Sequence, residues 1–317
     1  MLKFVKAPRK IITKALDKEL GFGKVLTTEK RLMLADGSFN VHRESIGVWD
    51  NTYHFLVTMK WSTFFLLALL FFISINLVFA TMYVLIGVEH FTGMSPGGPA
   101  QDFVNAFFFS SQTLTTVGYG HISPTGMITS IVASIESFFG LLTFALISGL
   151  LYGRFSRPAA RVVFSENILV APYKESQGLM FRIVNARKSE LIETEVQILM
   201  SFNQEDGAGN TTRKFYPLNL EISKISFFSM SWTVVHPLFD KSPIKDFSKE
   251  DFENANAEFM VLVKGIDETS QQLVHARHSY TAENMVWNAK FVPILKYNAS
   301  GIPKILTSLV GHYEKVA

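Results

Sequence analysis

The 317 residues include no cysteine. That excludes disulfides and thiolate metal sites, and it fits a reducing compartment. A second absence is local. From Trp61 to Gly153 there is no lysine or arginine, although the chain carries 30 elsewhere. A soluble domain rarely keeps so long a stretch free of basic side chains. No regularly spaced run of arginines occurs, which excludes a voltage sensor of the gating-charge type. No GxGxxG occurs either, so a dinucleotide-binding loop lacks its signature. No nucleophile–base arrangement is visible, and a net charge of +3 is too small to argue for a nucleic-acid partner.

What is present is unevenly spread. The chain is 48% hydrophobic with 29 phenylalanines, and these concentrate in the middle. Trp61 to Val88 runs for 28 residues without a charge, and about 20 suffice to cross a hydrocarbon core. A signal peptide is disfavoured, because the segment begins behind a long polar arm. A second apolar segment runs from Met127 to Phe155, with only Glu136 and Arg154 charged. Its glycines and serines suit close helix packing in a membrane. Met1–Arg31 carries nine Lys/Arg against three acids, and Arg154, Arg157 and Arg161 follow the second span. The intervening loop has none. Basic residues favour the cytoplasmic side, so both termini are expected there, with the loop outside.

Just before the first span, Val48–Trp61 mixes Trp49, Tyr53, Phe55, Leu56 and Met59 with polar residues. This suits an amphipathic helix along the cytoplasmic interface. An N-terminal extension of the spanning helix is the alternative. Lys60 and Trp61 would anchor the interface in either case.

The loop between the spans is unlike a water-exposed one. After the turn-rich "GMSPGGPA" comes "QDFVNAFFFSSQT", a predicted short helix with Asp102 as N-cap. Phe103, Phe107, Phe108 and Phe109 point to a re-entrant segment tucked into the membrane bundle. Non-helical backbone at that depth is tolerated only when buried in protein or lining a water-filled cavity. Next stand Thr116, Val117, Gly118, Tyr119 and Gly120. Glycines permit positive φ, so successive carbonyls can turn toward a common axis. A ring of them, with the Thr116 hydroxyl below, can replace the hydration shell of a potassium ion. Tyr119 would face away and brace this filter against aromatics of the pore helix. One loop cannot close a ring, so a homotetramer follows from the mechanism.

Beyond Arg157, short β-type runs such as "ARVVFS", "NILVAPY", "GLMFRIVNAR", "ETEVQILMSF", "SFFSMSWTVVHPL", "AEFMVLVKG" and "NAKFVPILKY" predict an all-β sandwich. "RFSRP" after the second span, "SWTVVHPLFDKSPI" (Ser231–Ile244) and "HARHSYTAENMVW" (His275–Trp287) carry a specific likeness. On these strings the chain resembles the prokaryotic inward-rectifier potassium channels of the KirBac type, along nearly its whole length. The resemblance implies an α+β membrane protein of the bacterial inner membrane. Its parts are a basic cytoplasmic arm (residues 1–47), a slide helix and two-helix pore domain (48–157), and a cytoplasmic immunoglobulin-like β sandwich (158–317). It implies potassium conduction without enzymatic activity and without a cofactor, K⁺ being only the permeant ion.

By the same resemblance, Phe144, Ser148 and Tyr152 line the pore at spacings of four. Phe144 matches the position where strongly rectifying relatives carry an acid, so weak rectification is expected. Rings at Phe144 and Tyr152 either gate the pore or pack against neighbouring helices. Lys60, Trp61, Arg154, Arg157 and Arg161 match the family's anionic-lipid region, although anchoring the topology needs the same charges. Gln112 and Ile122 replace the acid–base pair that braces many animal filters. Glu136, ionisable inside the membrane, is either functional or a brace behind the filter. His275 and His278 are expected to be structural, with proton-coupled gating as an alternative. The competing functions are a membrane enzyme or ligand sensor, which lacks a catalytic constellation, and a non-selective pore, which leaves the filter sequence unexplained.

Overall fold

The computed structural model describes residues 31–41, 52–156, 160–187, 189–205, 211–297 and 300–316. The chain divides into two units, one formed by Met1–Arg43 with Pro158–Ala317, the other by Glu44–Arg157.

The second unit is helical. α1 (Thr52–Thr58) is separate from α2 (Trp61–Ile86), since the backbone turns extended at Lys60, with φ −59° and ψ 147°. The expected interfacial segment is therefore a short helix of its own and not an extension of the span. Val48 to Asn51, including Trp49, lie outside the described residues. At 1.5 Å per residue the 26 residues of α2 reach about 39 Å. α4 (Met127–Phe155) has 29 residues, and both helices are long and apolar enough to cross a bilayer.

Between them, two short strands pair antiparallel, β1 (Phe91–Thr92) with β2 (Ser123–Pro124). They close the base of a loop that carries α3 (Pro99–Leu114). α3 starts earlier than expected. Pro99 occupies its first turn and Gly98 is the cap, at φ 95°. Proline is pre-set for the first helical position, and this fixes the start. Asp102 is thus inside the first turn, where its carboxylate accepts from the Gly97 amide at 3.0 Å. The unit's core joins Phe79, Ala80 and Tyr83 of α2 to Ala106 and Phe109 of α3 and Ala133 of α4. Tyr83, Phe91 and Phe109 meet edge to face, with ring centres 5.0–5.3 Å apart. Such pairs add about 1 kcal/mol each beyond area burial. Of the four phenylalanines on α3, Phe109 is buried, Phe103 and Phe107 pack at the core's edge, and Phe108 is exposed.

The other unit is a two-sheet sandwich. One sheet contains β6 (Leu191–Glu205), β7 (Thr211–Leu218), β8 (Lys224–Phe228), β10 (Glu258–Asp267) and β11 (Gln272–Thr281). Its order is β11-β10-β6-β7, with β8 also on β6. The second contains β3 (Val162–Phe164), β4 (Ile168–Tyr173), β5 (Ser176–Asn185), β9 (Ser231–Pro237) and β12 (Met285–Trp287), ordered β12-β4-β5-β3 with β9 also on β5. The β12–β4 pairing is parallel and the others antiparallel.

Alternation sets which face is buried. On β6, Val196, Ile198, Met200 and Phe202 enter the core and face Phe181 and Ile183 of β5 across it. β5 is buried on both faces. Its Met180 and Val184 pack against short strands beyond it, around Phe291 and Ile294, and Arg182 donates to the Val292 carbonyl at 2.7 Å.

A polar cluster centred on Glu258 is buried in this unit. Glu258 and Arg213 pair at 2.9 Å with both side chains 1% exposed. Glu258 also accepts from the Leu32 and Met33 amides at 2.8 Å and from the Ser279 hydroxyl at 2.7 Å. Arg213 donates to the Ser201 hydroxyl at 3.0 Å. One carboxylate thus ties the Leu32–Met33 segment to β10, β7 and β11.

Candidate ion pathway

α3 leaves its last turns with unsatisfied carbonyls, as every helix does. The chain folds back on them. The Thr116 amide donates to the Thr113 carbonyl at 3.1 Å, and the amides of Val117 and Gly118 both reach the Gln112 carbonyl, at 3.0 and 3.3 Å. Three of the next five residues then take positive φ: Thr116 at 61°, Gly118 at 52° and Gly120 at 79°. The glycines were expected to do so. A β-branched residue in that region is strained, and the strain persists only where the surroundings over-determine it. Here the overlapping hydrogen bonds to Gln112 and Thr113 provide that restraint.

Within its own chain this segment is bare. Val117 is exposed, Tyr119 is 76% exposed, and a Cβ added at Gly118 or Gly120 would meet nothing within 4 Å. Tyr119 accordingly makes no ring contact within its own chain among the described residues. Its ring lies free of Phe107, Phe108 and Phe109 of the same chain.

Behind the segment, α4 approaches α3 closely. A Cβ at Gly140 would lie 2.0 Å from the carbonyl oxygen of Leu114, the last residue of α3. Only glycine allows that approach. A turn away is Glu136, fully buried, whose carboxyl oxygens lie 2.5 Å from the hydroxyl oxygens of Tyr83 and of Ser110. It thus links α4 to both α2 and α3. Its partners Tyr83 and Ser110, and Asn76 bonded in turn to Ser110, were not anticipated, though Asn76 and Tyr83 stand seven apart, on one face of α2.

Phe144, Ser148 and Tyr152 are all exposed in the chain, the two rings at 73% and 76%. They form one row along α4 and do not pack on α2 or α3. Lys60 and Arg161 are exposed and Trp61 is partly so, whereas Arg157 lies outside the described residues.

Arg154 differs from these. It is buried, and its guanidinium donates to the carbonyls of Leu56 and Met59 at 2.6 Å each, while lying 4.5 Å from the Trp61 ring centre and 4.7 Å from that of Phe64. It caps the C-terminal end of α1, where a cation is favoured. Arg154→Ala is expected to lower stability by about 3 kcal/mol, since hydrogen bonds to charged groups each contribute about 1.5–3. Arg154→Lys should lose less but not be neutral, because a point-charge donor cannot bridge both carbonyls with a planar fork. Thermal unfolding in detergent micelles reads both.

The histidines separate in the same way. His275 is exposed, while His278 stacks on Phe164 with ring centres 4.9 Å apart, and burial holds its imidazole below the usual histidine range. Among the described residues no group of histidines and acids is arranged to hold a metal.

Two helices that can cross a bilayer, a third tucked between them, and a two-sheet sandwich beyond define a membrane protein of the ion-channel class. The comparisons agree. Residues 52–156 match the ion channel family and residues 162–316 the inward rectifier potassium channel C-terminal domain. The chain is similar to inward rectifier potassium channel Kirbac3.1 of Paramagnetospirillum magnetotacticum, at 35% identity over 267 residues, covering 83% of this chain and 89% of that one. It is 28% identical over 309 residues to ATP-sensitive inward rectifier potassium channel 12 of Gallus gallus, covering 87% and 70%. With G protein-activated inward rectifier potassium channel 2 of Mus musculus the identity is 26% over 294 residues, covering 84% and 68%. The chain belongs to the inward rectifier potassium channel family.

Proposed function

We propose that four copies of this chain form a potassium-selective pore, with Thr116, Val117, Gly118, Tyr119 and Gly120 as its filter. The observation that carries the reading is the reversal after α3. Three positive φ values and a lack of partners within the chain suit a backbone whose neighbours come from other copies and whose carbonyls face an ion. Carbonyl oxygens of Thr116, Val117, Gly118 and Tyr119 replace water around K⁺, and the negative end of α3 favours a cation at the inner mouth. The membrane is the bacterial inner membrane, with both termini in the cytoplasm, as the basic residues flanking α2 and α4 favour.

Purified protein in liposomes is expected to pass K⁺ in preference to Na⁺ and to be blocked by Ba²⁺. Equal K⁺ and Na⁺ flux overturns the reading.

The exposed row of Phe144, Ser148 and Tyr152 faces the axis in this arrangement. Phe144 and Tyr152 narrow the inner pore, and a ring of phenylalanines in place of acids gives Mg²⁺ and polyamines little field to bind. Rectification is therefore weak, and Tyr152→Ala raises open probability. Steep polyamine block abolished by Phe144→Ala, or gating unchanged in Tyr152→Ala, contradicts the assignment. Lys60, Trp61 and Arg161, with Arg157, meet anionic lipid headgroups. Arg154 contributes mainly by holding the α1–α2 corner. Flux insensitive to anionic headgroups removes the lipid site.

A further inference from the structure

Glu136 sits in a stretch without lysine or arginine, Trp61 to Gly153, so no cation of that stretch offsets a carboxylate there. Besides Tyr83, α2 and α3 carry one titratable group, Asp102, and this is turned to the Gly97 amide. The hydrogen bonds around Glu136 allow its protons to be counted.

The chain of bonds starts at a fixed end. Asn76 Nδ2 lies 2.7 Å from the Phe72 carbonyl oxygen, which can only accept. Turning the amide over would set two acceptors against each other, so Asn76 Oδ1 must point the other way. There it lies 2.9 Å from Ser110 Oγ. The same Ser110 Oγ is 2.5 Å from Glu136 Oε1. A serine hydroxyl has one hydrogen, yet two oxygens face it. If Glu136 were ionised, both would be pure acceptors, and one close oxygen pair would have no proton between its members.

A proton on Glu136 Oε1 completes the set. Oε1–H donates to Ser110 Oγ, Ser110 donates to Asn76 Oδ1, and Asn76 Nδ2 donates to the Phe72 carbonyl. The Tyr83 hydroxyl donates to Oε2 at 2.5 Å. Each donor then has one acceptor, and no net charge is left among groups that are all fully buried. Uncompensated charge at such depth is costly, whereas a satisfied neutral network rigidifies what it joins.

We infer that Glu136 is held as a neutral carboxylic acid, a positioning residue whose proton closes a hydrogen-bond chain from α4 through α3 to α2. Because α3 ends at Leu114, just before Thr116, this chain sets where the backbone reversal stands. That last consequence rests on the filter reading, but the proton itself does not.

Infrared difference spectra between full-length wild type and Glu136→Gln, both reconstituted in lipid at neutral pH, test the proton directly. The expected difference is loss of a protonated-carboxyl band. Loss of carboxylate bands alone overturns the inference. Function gives a second reading, since an amide can donate to Ser110 and accept from Tyr83. Glu136→Gln is expected to keep wild-type thermal stability and K⁺ over Na⁺ selectivity, while Glu136→Ala loses at least tenfold in selectivity. A glutamine variant as impaired as the alanine would mean that charge is required, and would also overturn it. Should the wild type itself fail to select K⁺, the filter reading falls while the infrared result still decides the proton.

Discussion

Gly140→Ala is expected to abolish discrimination between K⁺ and Na⁺ and to lower the stability of the pore unit. The added methyl carbon would lie 2.0 Å from the Leu114 carbonyl oxygen and 3.1 Å from its Cα. Both are backbone atoms, so no side chain can swing aside to relieve the clash. Either α4 retreats or the end of α3 is pushed outward, carrying Thr115 and Thr116 with it. Overpacking of a tight core costs about 1–3 kcal/mol, and here the displacement falls at the residues that direct the backbone reversal. Gly149 supplies the control on the same helix, since a Cβ there meets nothing of its own chain within 4 Å. Gly149→Ala should keep its ion selectivity. Flux ratios in liposomes compare the two, and unchanged selectivity in Gly140→Ala would show that the α3–α4 approach does not set the filter's position.

The second large effect lies in the β unit. Arg213→Ala is expected to destabilise that unit by about 3–5 kcal/mol, because it leaves Glu258 buried without its counter-charge. Glu258→Ala should cost at least as much, since it also strands the amides of Leu32 and Met33 and the Ser279 hydroxyl. Replacing the pair together, Arg213→Met with Glu258→Leu, removes both charges and should recover part of the loss. Thermal unfolding of the full-length protein, followed through Trp232 and Trp287 fluorescence, measures all three. A loss below about 1 kcal/mol in Arg213→Ala, of the size seen for solvated pairs, would mean that the cluster is open to water.

Much of this architecture is legible in the order of residues. The two spans follow from uncharged length, and the re-entrant helix from phenylalanines where a wet loop would have none. β4, β5, β6 and β10 follow from runs of branched and aromatic residues. Elsewhere the signal is weaker for definite reasons. β7 contains Arg213 and Lys214 and reads as polar loop, because its inward arginine is neutralised by an acid some forty-five residues further on, a pairing no local pattern reveals. "SFFSMSWTVVHPL" looks like one strand but is two, β8 and β9, which pair with different sheets. The start of α3 was masked by Asp102, a plausible cap that lost to a proline already fixed for the first turn. The Thr116–Gly120 string stands out in the sequence by itself, but the strain at Thr116 and the partners of Glu136 depend on which helices meet. The arginines after the second span look alike in sequence. Only the fold separates Arg154, used up on carbonyls, from the exposed Arg161.

That distinction has a mechanical side. α1 ends and α2 begins across an extended residue, Lys60, a joint that would bend freely if left alone. One guanidinium, mounted on the last turn of α4, grips the carbonyls of Leu56 and Met59 on one side of that joint and covers the Trp61 and Phe64 rings on the other. Turning α4 about its axis by a single residue's step, roughly 100° for 3.6 residues per turn, would carry the guanidinium out of reach of both carbonyls. The C-terminal end of α4 therefore cannot rotate alone: it must swing the α1–α2 corner with it as one lever, or let go of it altogether.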